Sequence, residues 1–209
     1  MTAAAHSPPL SKARLEALTD GIFAVTMTLL VLDLKFPEPE AGQTTFDAFL
    51  GLVDRLDNYA ISFAVLAVFW LGHVRMLGRC RETDVAFAAL NFGFLLFTTL
   101  VPPLTTLLGD HPQLPRAAVL YGGNLLLILA FEVLLWRRVC QHLHNDSLQD
   151  PAATWQLMRR RYTLAMGIVL AAIAIALVEI GLRKNPNAAP YVYLLLIGIG
   201  VMRPRKGLA

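Results

Sequence analysis

The chain has 209 residues, of which 56% are hydrophobic and 16% are charged, and its formal net charge is +3. Soluble domains average roughly 45–50% apolar and about 25% charged residues, so this composition argues against a soluble globular protein. With so small a net charge, we expect no nucleic-acid partner and expect the lipid bilayer to be the main surrounding of the chain.

Six apolar segments follow one another along the chain, at about 16–34, 56–78, 85–108, 116–136, 162–182 and 188–202. A helix needs about 20 mostly apolar residues to cross a bilayer. The sequence therefore predicts an all-α integral membrane protein with six transmembrane helices, folded as a single domain over residues 1–209. The first segment is weak, because only twelve uncharged residues run from Gly21 to Leu32. We expect other helices to screen it from lipid.

The basic residues are distributed unevenly about these segments. With an even number of spans both termini lie on one side, and that side holds thirteen of the 18 basic residues: Lys12, Arg14, Arg75, Arg79, Arg81, Arg137, Arg138, Arg159, Arg160, Arg161, Arg203, Arg205 and Lys206. The other side holds Lys35, Arg55, Arg116, Arg183 and Lys184. Because Lys and Arg concentrate in cytoplasmic loops, we expect both termini in the cytoplasm.

Two local features interrupt the apolar pattern. Pro102 and Pro103 are expected to kink or end the third span, since proline removes a backbone donor and clashes with the preceding turn. The polar stretch 141–151 is expected to be a cytoplasmic linker, and nothing near its histidines completes a metal site. Cys80 and Cys140 fall on the predicted cytoplasmic side, where a disulfide is not expected.

The first segment carries the most informative polar residues. At about 100° per residue, Val25, Thr28, Leu29 and Leu32 share one stripe of a helix. Periodicity alone favours a helix–helix packing seam for this stripe. Asp20 is costly inside a span, and two interpretations are equally open: an N-terminal helix cap, or a buried network with a partner from another helix.

The run from Arg14 to Asp20, RLEALTD, resembles the R-x-x-x-F-S-D signature of the transmembrane protein 175 family, with Leu18 for Phe and Thr19 for Ser. The resemblance continues through TLLVLDL, through Trp70 and His73 of the second segment, and through LNFGFLLFTTLVPP of the third. It is specific over the first half of the chain and rests on the helix count for the remainder.

The resemblance implies a potassium-permeable channel and no enzymatic activity. Animal members of the family have two six-helix units and dimerise, whereas bacterial members have one unit and form tetramers. The chain is thus expected to form a homotetramer in the bacterial inner membrane, where the first helices of four subunits line a pore for K⁺ and other monovalent cations, without a cofactor. By position, the hydrophobic constriction falls on Val25, the hydroxyl layer linked to selectivity on Thr28, and further apolar layers on Leu29 and Leu32.

The resemblance also implies a polar network that holds the pore helix. Its expected members are Arg14, Thr19, Asp20, Trp70, His73 and Asn91. An alternative function is a proton- or cation-coupled secondary transporter with Asp20, His73 and Glu132 as a relay. Such transporters usually show broken helices or internal inverted repeats, and neither is evident in the sequence.

Overall fold

A computed structural model describes residues 11–32, 45–110, 114–182 and 192–201. Within these ranges the regular structure is helical, apart from one isolated bridge between Cys80 and His144. The helices are α1 Lys12–Leu32, α2 Thr45–Leu77, α3 Val85–Thr99, α4 Val101–Asp110, α5 Pro115–Arg138, α6 Pro151–Leu182 and α7 Leu194–Val201, and a π-helical turn, Val139–Leu143, follows α5. The predicted all-α fold class is confirmed.

Among the described residues, five helical segments are long and apolar enough to cross a membrane: Lys12–Leu32, Leu56–Leu77, Val85–Asp110, Arg116–Leu143 and Pro151–Ile180. They correspond to the first five predicted spans. Of the sixth span, predicted at 188–202, the structure describes α7 and two residues before it, and the remaining residues lie outside the described ranges. The total of six spans stays a prediction.

Two helices begin well before the apolar segments that revealed them. The second span was expected from residue 56 and the fifth from residue 162, whereas α2 begins at Thr45 and α6 at Pro151. These helices have 33 and 32 residues, or about 50 Å at 1.5 Å per residue, against a hydrocarbon core of about 30 Å. The hydropathy pattern predicts only the apolar part of a helix, which lies in lipid, so the polar turns that extend α2 and α6 beyond it were not predicted.

The third span is interrupted where the prolines predicted a break. The helix α3 ends at Thr99 and α4 begins at Val101, with Leu100 between them. Pro102 has no backbone N–H to continue the hydrogen-bond ladder, and the Leu100 N–H instead bonds to the Phe97 and Thr98 carbonyls.

The links α2–α3 and α5–α6 meet at one end of the bundle. The Arg81 N–H donates to the Leu143 carbonyl at 2.8 Å. The Lys12 ammonium donates to the Cys80 carbonyl at 3.1 Å, which brings the start of α1 to the same end. This arginine-rich end is the one that the charge distribution assigns to the cytoplasm. Burial raises the pKa of the Cys80 thiol to about 12, and both cysteines are free.

Asp84 joins two helices at this end. Its side chain caps α3 by accepting from the Phe87 N–H at 2.8 Å, and it pairs with Arg138 at the end of α5. Burial raises the pKa of Asp84, but hydrogen bonds from Arg138 and Phe87 outweigh this effect and hold the pKa below its ordinary value of 3.8. The carboxylate is therefore charged at neutral pH.

The core is centred on α5, which packs against α3, α4 and α6. Its Tyr121, Leu125 and Ile128 are fully buried. The α1 helix does not belong to this centre, because it packs on one side only, against α2, α3 and α4.

Candidate pore helix and its polar network

The α1 helix has one face buried against its own chain. The buried residues recur every three or four positions, as on one side of an α-helix, and are Leu15, Thr19, Phe23, Thr26 and Leu30. This side packs on α2, α3 and α4. The orientation of α1 about its own axis is thereby fixed within a single subunit.

The opposite face bears what we call the pore stripe: Val25, Thr28, Leu29 and Leu32. Val25 is 58% exposed, Leu29 43% and Leu32 70%, and Thr28 is exposed as well. A large apolar surface of this kind marks a contact with lipid or with another protein surface. The subunit thus presents the whole stripe outside its own core.

The Thr28 hydroxyl has a defined orientation. It donates to the Val25 carbonyl of the preceding turn at 2.8 Å. A hydroxyl has one hydrogen and two acceptor lone pairs, so this bond uses the hydrogen and leaves the oxygen available as an acceptor. An exposed oxygen with spare lone pairs is suited to contact a cation.

Asp20 is bonded to another helix. The Trp70 indole N–H of α2 donates to the Asp20 carboxylate at 2.8 Å. Because α1 begins at Lys12, Asp20 lies more than two turns inside the helix and does not cap it. The N-cap interpretation is therefore wrong, and a partner from another helix is present, but Asp20 is exposed in the subunit, so its bond is not part of a buried network there.

A second polar bond joins α1 to α3. The Asn91 amide donates to the Thr19 hydroxyl at 3.1 Å, and both side chains are buried, with 0% and 1% of their surface exposed. The remaining amide oxygen of Asn91 has no hydrogen-bond partner in the described part of the chain. Thr19 and Asp20 thus anchor adjacent positions of α1 to two different helices.

Arg14 and His73, the other two expected members, have no hydrogen bond to this network in the described part of the chain. Arg14 is exposed in the first turn of α1. His73 is fully buried and stacks on Phe94, with ring centroids 5.0 Å apart and planes 7° apart. Neither ring nitrogen of His73 has a hydrogen-bond partner among the described residues. A network role for these two residues stays a prediction.

Phe94 is the contact residue that the sequence did not reveal. Its fully buried ring lies 5.8 Å from that of Phe23 on α1 and packs on His73 of α2. It therefore connects three helices just beside the polar bonds. In sequence it is one aromatic residue within an apolar run, with nothing to distinguish it from its neighbours.

Comparison with known proteins identifies the family of the chain. Residues 14–102 match the model of a family described as endosomal/lysosomal potassium channel TMEM175. A potassium channel of Chamaesiphon minutus is 30% identical over 88% of this chain and 93% of its own length, and one of Streptomyces collinus is 28% identical over 81% and 87%. The human endosomal/lysosomal proton channel TMEM175 is 32% identical, but over 45% of this chain and 20% of its own length.

A solved structure is similar over nearly the whole fold. The crystal structure of a lysosomal potassium-selective channel TMEM175 homolog from Chamaesiphon minutus superposes with a TM-score of 0.68 at 29% identity, and covers 91% of this chain and 96% of the other. The matching family is one of ion channels, which confirms the expectation that the chain is not an enzyme. With its five long apolar helices, the chain is a multi-pass membrane protein and belongs to the TMEM175 family, in its bacterial branch.

Proposed function

We propose that the chain is one subunit of a potassium-permeable channel of the bacterial inner membrane. The observation that carries the proposal is the geometry of α1, which is bonded to its own subunit on one face and leaves the pore stripe uncovered on the other. The names of the bacterial relatives, potassium channels with which the chain aligns over most of its length, support the same function.

Several copies are required to form the pore. One helix cannot enclose a water-filled path, whereas four copies about a closed symmetry axis can. A homotetramer with the pore stripe facing the axis also removes the stripe, with its exposed Thr28 hydroxyl, from lipid.

The stripe then supplies two kinds of ring along the ion path. Four Thr28 oxygens replace part of the hydration shell of K⁺ or another monovalent cation, because each hydroxyl hydrogen already bonds to the Val25 carbonyl. Rings of Val25 and Leu32, with Leu29 between them, form hydrophobic constrictions that gate by dewetting. Conduction through such a path is passive and uses no cofactor.

The transporter alternative depends on a relay that the described residues do not form. Asp20 is bonded to Trp70, and Glu132 to Tyr162, whereas His73 stacks on Phe94 and interacts with Asp20 electrostatically, without a hydrogen bond. No hydrogen-bonded chain joins the three groups in the described part of the protein. A channel is therefore the function that the geometry favours.

Purified protein in planar bilayers tests the proposal. We expect ohmic currents with a reversal potential set by the K⁺ gradient, and an oligomer of four chains by native mass spectrometry. Flux that saturates and requires a pH gradient, without ohmic current, would instead identify a transporter. A single chain per particle would rule out the shared pore.

Matched variants then test the stripe. Val25→Trp should reduce conductance, whereas Val31→Trp, an exposed residue about a third of a turn away from the stripe, should not. Thr28→Ala should reduce the K⁺-to-Na⁺ permeability ratio, whereas Thr26→Ala, on the buried face, should leave it unchanged. Unaltered current in Val25→Trp would show that the pore does not follow this stripe.

A further inference from the structure

A second candidate site lies away from α1, in a cavity of about 100 Å³ bounded by α2, α5, α6 and α7. Its apolar wall consists of Val65, Phe69, Leu129, Met158, Ala165 and Leu196. The α1 helix contributes no lining residue, so the cavity is separate from the pore stripe. The channel proposal assigns it no role.

Charged side chains line the other part of the cavity, and the positive ones predominate. Three arginines, Arg75, Arg79 and Arg161, face one acid, Glu132. Arg75 lies in the last turn of α2, and Arg79 follows in the link at the arginine-rich end of the bundle, its guanidinium 5.7 Å from the centre of the Trp136 ring. The cavity is therefore apolar on one side and lined mainly by arginines on the other.

Glu132 is held within the protein by its own partners. It is 2% exposed, accepts a hydrogen bond from the Tyr162 hydroxyl and interacts electrostatically with Arg161. Gly72 leaves room for it, since a Cβ added there would lie 2.8 Å from Glu132 Oε1. Each guanidinium has five N–H donors, so an arginine that already has a partner within the protein can still donate to an anion.

We propose that this cavity binds the headgroup of an anionic phospholipid from the cytoplasmic leaflet. Guanidinium groups bind phosphate through paired charge-assisted hydrogen bonds, and basic pockets between transmembrane helices on the cytoplasmic side suit lipid headgroups. The cavity is too small for a whole lipid. The phosphate therefore lies against the arginines and the first carbon atoms against the apolar wall, while the acyl chains extend into the bilayer.

The chain offers a closely matched pair of variants. Residues 159–161 are three consecutive arginines on α6, of which Arg161 lines the cavity while Arg159 and Arg160 are exposed. Arg161→Gln and Arg160→Gln remove the same charge one residue apart. Both substitutions weaken the non-specific attraction of the protein for an anionic lipid surface to the same extent, but only Arg161→Gln changes the lining of the cavity.

The test is native mass spectrometry of the detergent-purified protein, titrated with phosphatidylglycerol and with phosphatidylcholine of the same acyl chains. We expect phosphatidylglycerol to bind at least about tenfold more tightly. Arg161→Gln should weaken its binding about tenfold, the loss expected for one hydrogen bond to a charged group, and Arg160→Gln should not. Arg161→Lys, which keeps the charge, should retain most of the affinity.

Three results would overturn the proposal. The first is equal binding of the two lipids by the unmodified protein, which needs no variant to fold. The second is an equal loss in Arg160→Gln and Arg161→Gln, with both variants unfolding at the wild-type temperature without lipid. The third is displacement of the lipid by inorganic phosphate at the same concentration, because the apolar wall would then contribute nothing and the site would be one for a soluble anion.

Discussion

The hydrogen bond between Asn91 and Thr19 attaches the pore helix to α3, and its strength can be predicted. It joins two neutral groups at 3.1 Å, both fully buried. Interhelical bonds of this kind in membrane proteins contribute about 0.6 kcal/mol on average and about 1.7 kcal/mol at most. Full burial with a good distance favours the upper half of that range, so we predict a coupling of about 1–1.5 kcal/mol.

A double-mutant cycle is needed to measure it. Asn91 also buries an amide oxygen without a partner among the described residues, so Asn91→Leu removes both a favourable bond and an unfavourable desolvation. The single variant therefore underestimates the bond. The cycle of Thr19→Val and Asn91→Leu isolates the coupling because the desolvation of the orphan oxygen cancels.

The assay is equilibrium unfolding in mixed micelles at one fixed protein concentration, since the stability of an oligomer depends on concentration. Thr98→Val combined with Thr19→Val is the control. Thr98 is equally buried, but its hydroxyl donates to the Phe94 carbonyl of its own helix at 2.9 Å. This pair should be additive within about 0.3–0.5 kcal/mol. A coupling below about 0.3 kcal/mol between Thr19 and Asn91 would refute the anchoring role.

Two further predictions concern helix packing and pH. Gly93→Ala places a Cβ in steric overlap with the Phe131 ring and should destabilise the fold by about 1–3 kcal/mol. Gly123→Ala meets no atom within 4 Å and should be neutral or stabilising; equal unfolding temperatures for the two variants would contradict this. Asp84→Asn keeps the helix cap but removes the charge that pairs with Arg138, and should cost about 0.5–1 kcal/mol at pH 7, since the pair is partly exposed. The Asp84 pKa is lowered in the folded state, so the contribution of Asp84 to the free energy of unfolding is fully present above pH 3.8 and is lost as the pH falls through the folded pKa. An Asp84→Asn variant as stable as wild type at pH 7 would contradict the pairing with Arg138.

The sequence predicted most about α1 because polar residues in an apolar segment must be accommodated. Asp20 required a partner from another helix or a cap, and the structure supplies Trp70 of α2. The helical period of the stripe predicted a shared face, and the structure exposes that face. In both cases the energetic constraint acts on the residue itself, so it can be inferred without knowing the neighbouring helices.

Features that depend on which helices meet were not predictable in this way. The three arginines at 159–161 are identical in sequence, yet only Arg161 lines the cavity, because the packing of α6 against α5 and α7 decides which one turns inward. Nothing in the sequence distinguishes Gly72 from other glycines either, because the need for a small residue there comes from Glu132 of another helix, which lies against it. The starts of α2 and α6 were missed because polar turns outside lipid have no hydropathy signal.

The two faces of α1 have different surroundings in the subunit. The buried face, with Thr19 and Phe23, packs within the subunit, so its substitutions act first on the attachment of the helix. The pore stripe is more exposed, with Val25 at 58%, although Leu29 and Leu32 border a groove against α4. In the proposed pore, a substitution at Val25 is therefore expected to alter conductance with little loss of intrasubunit packing.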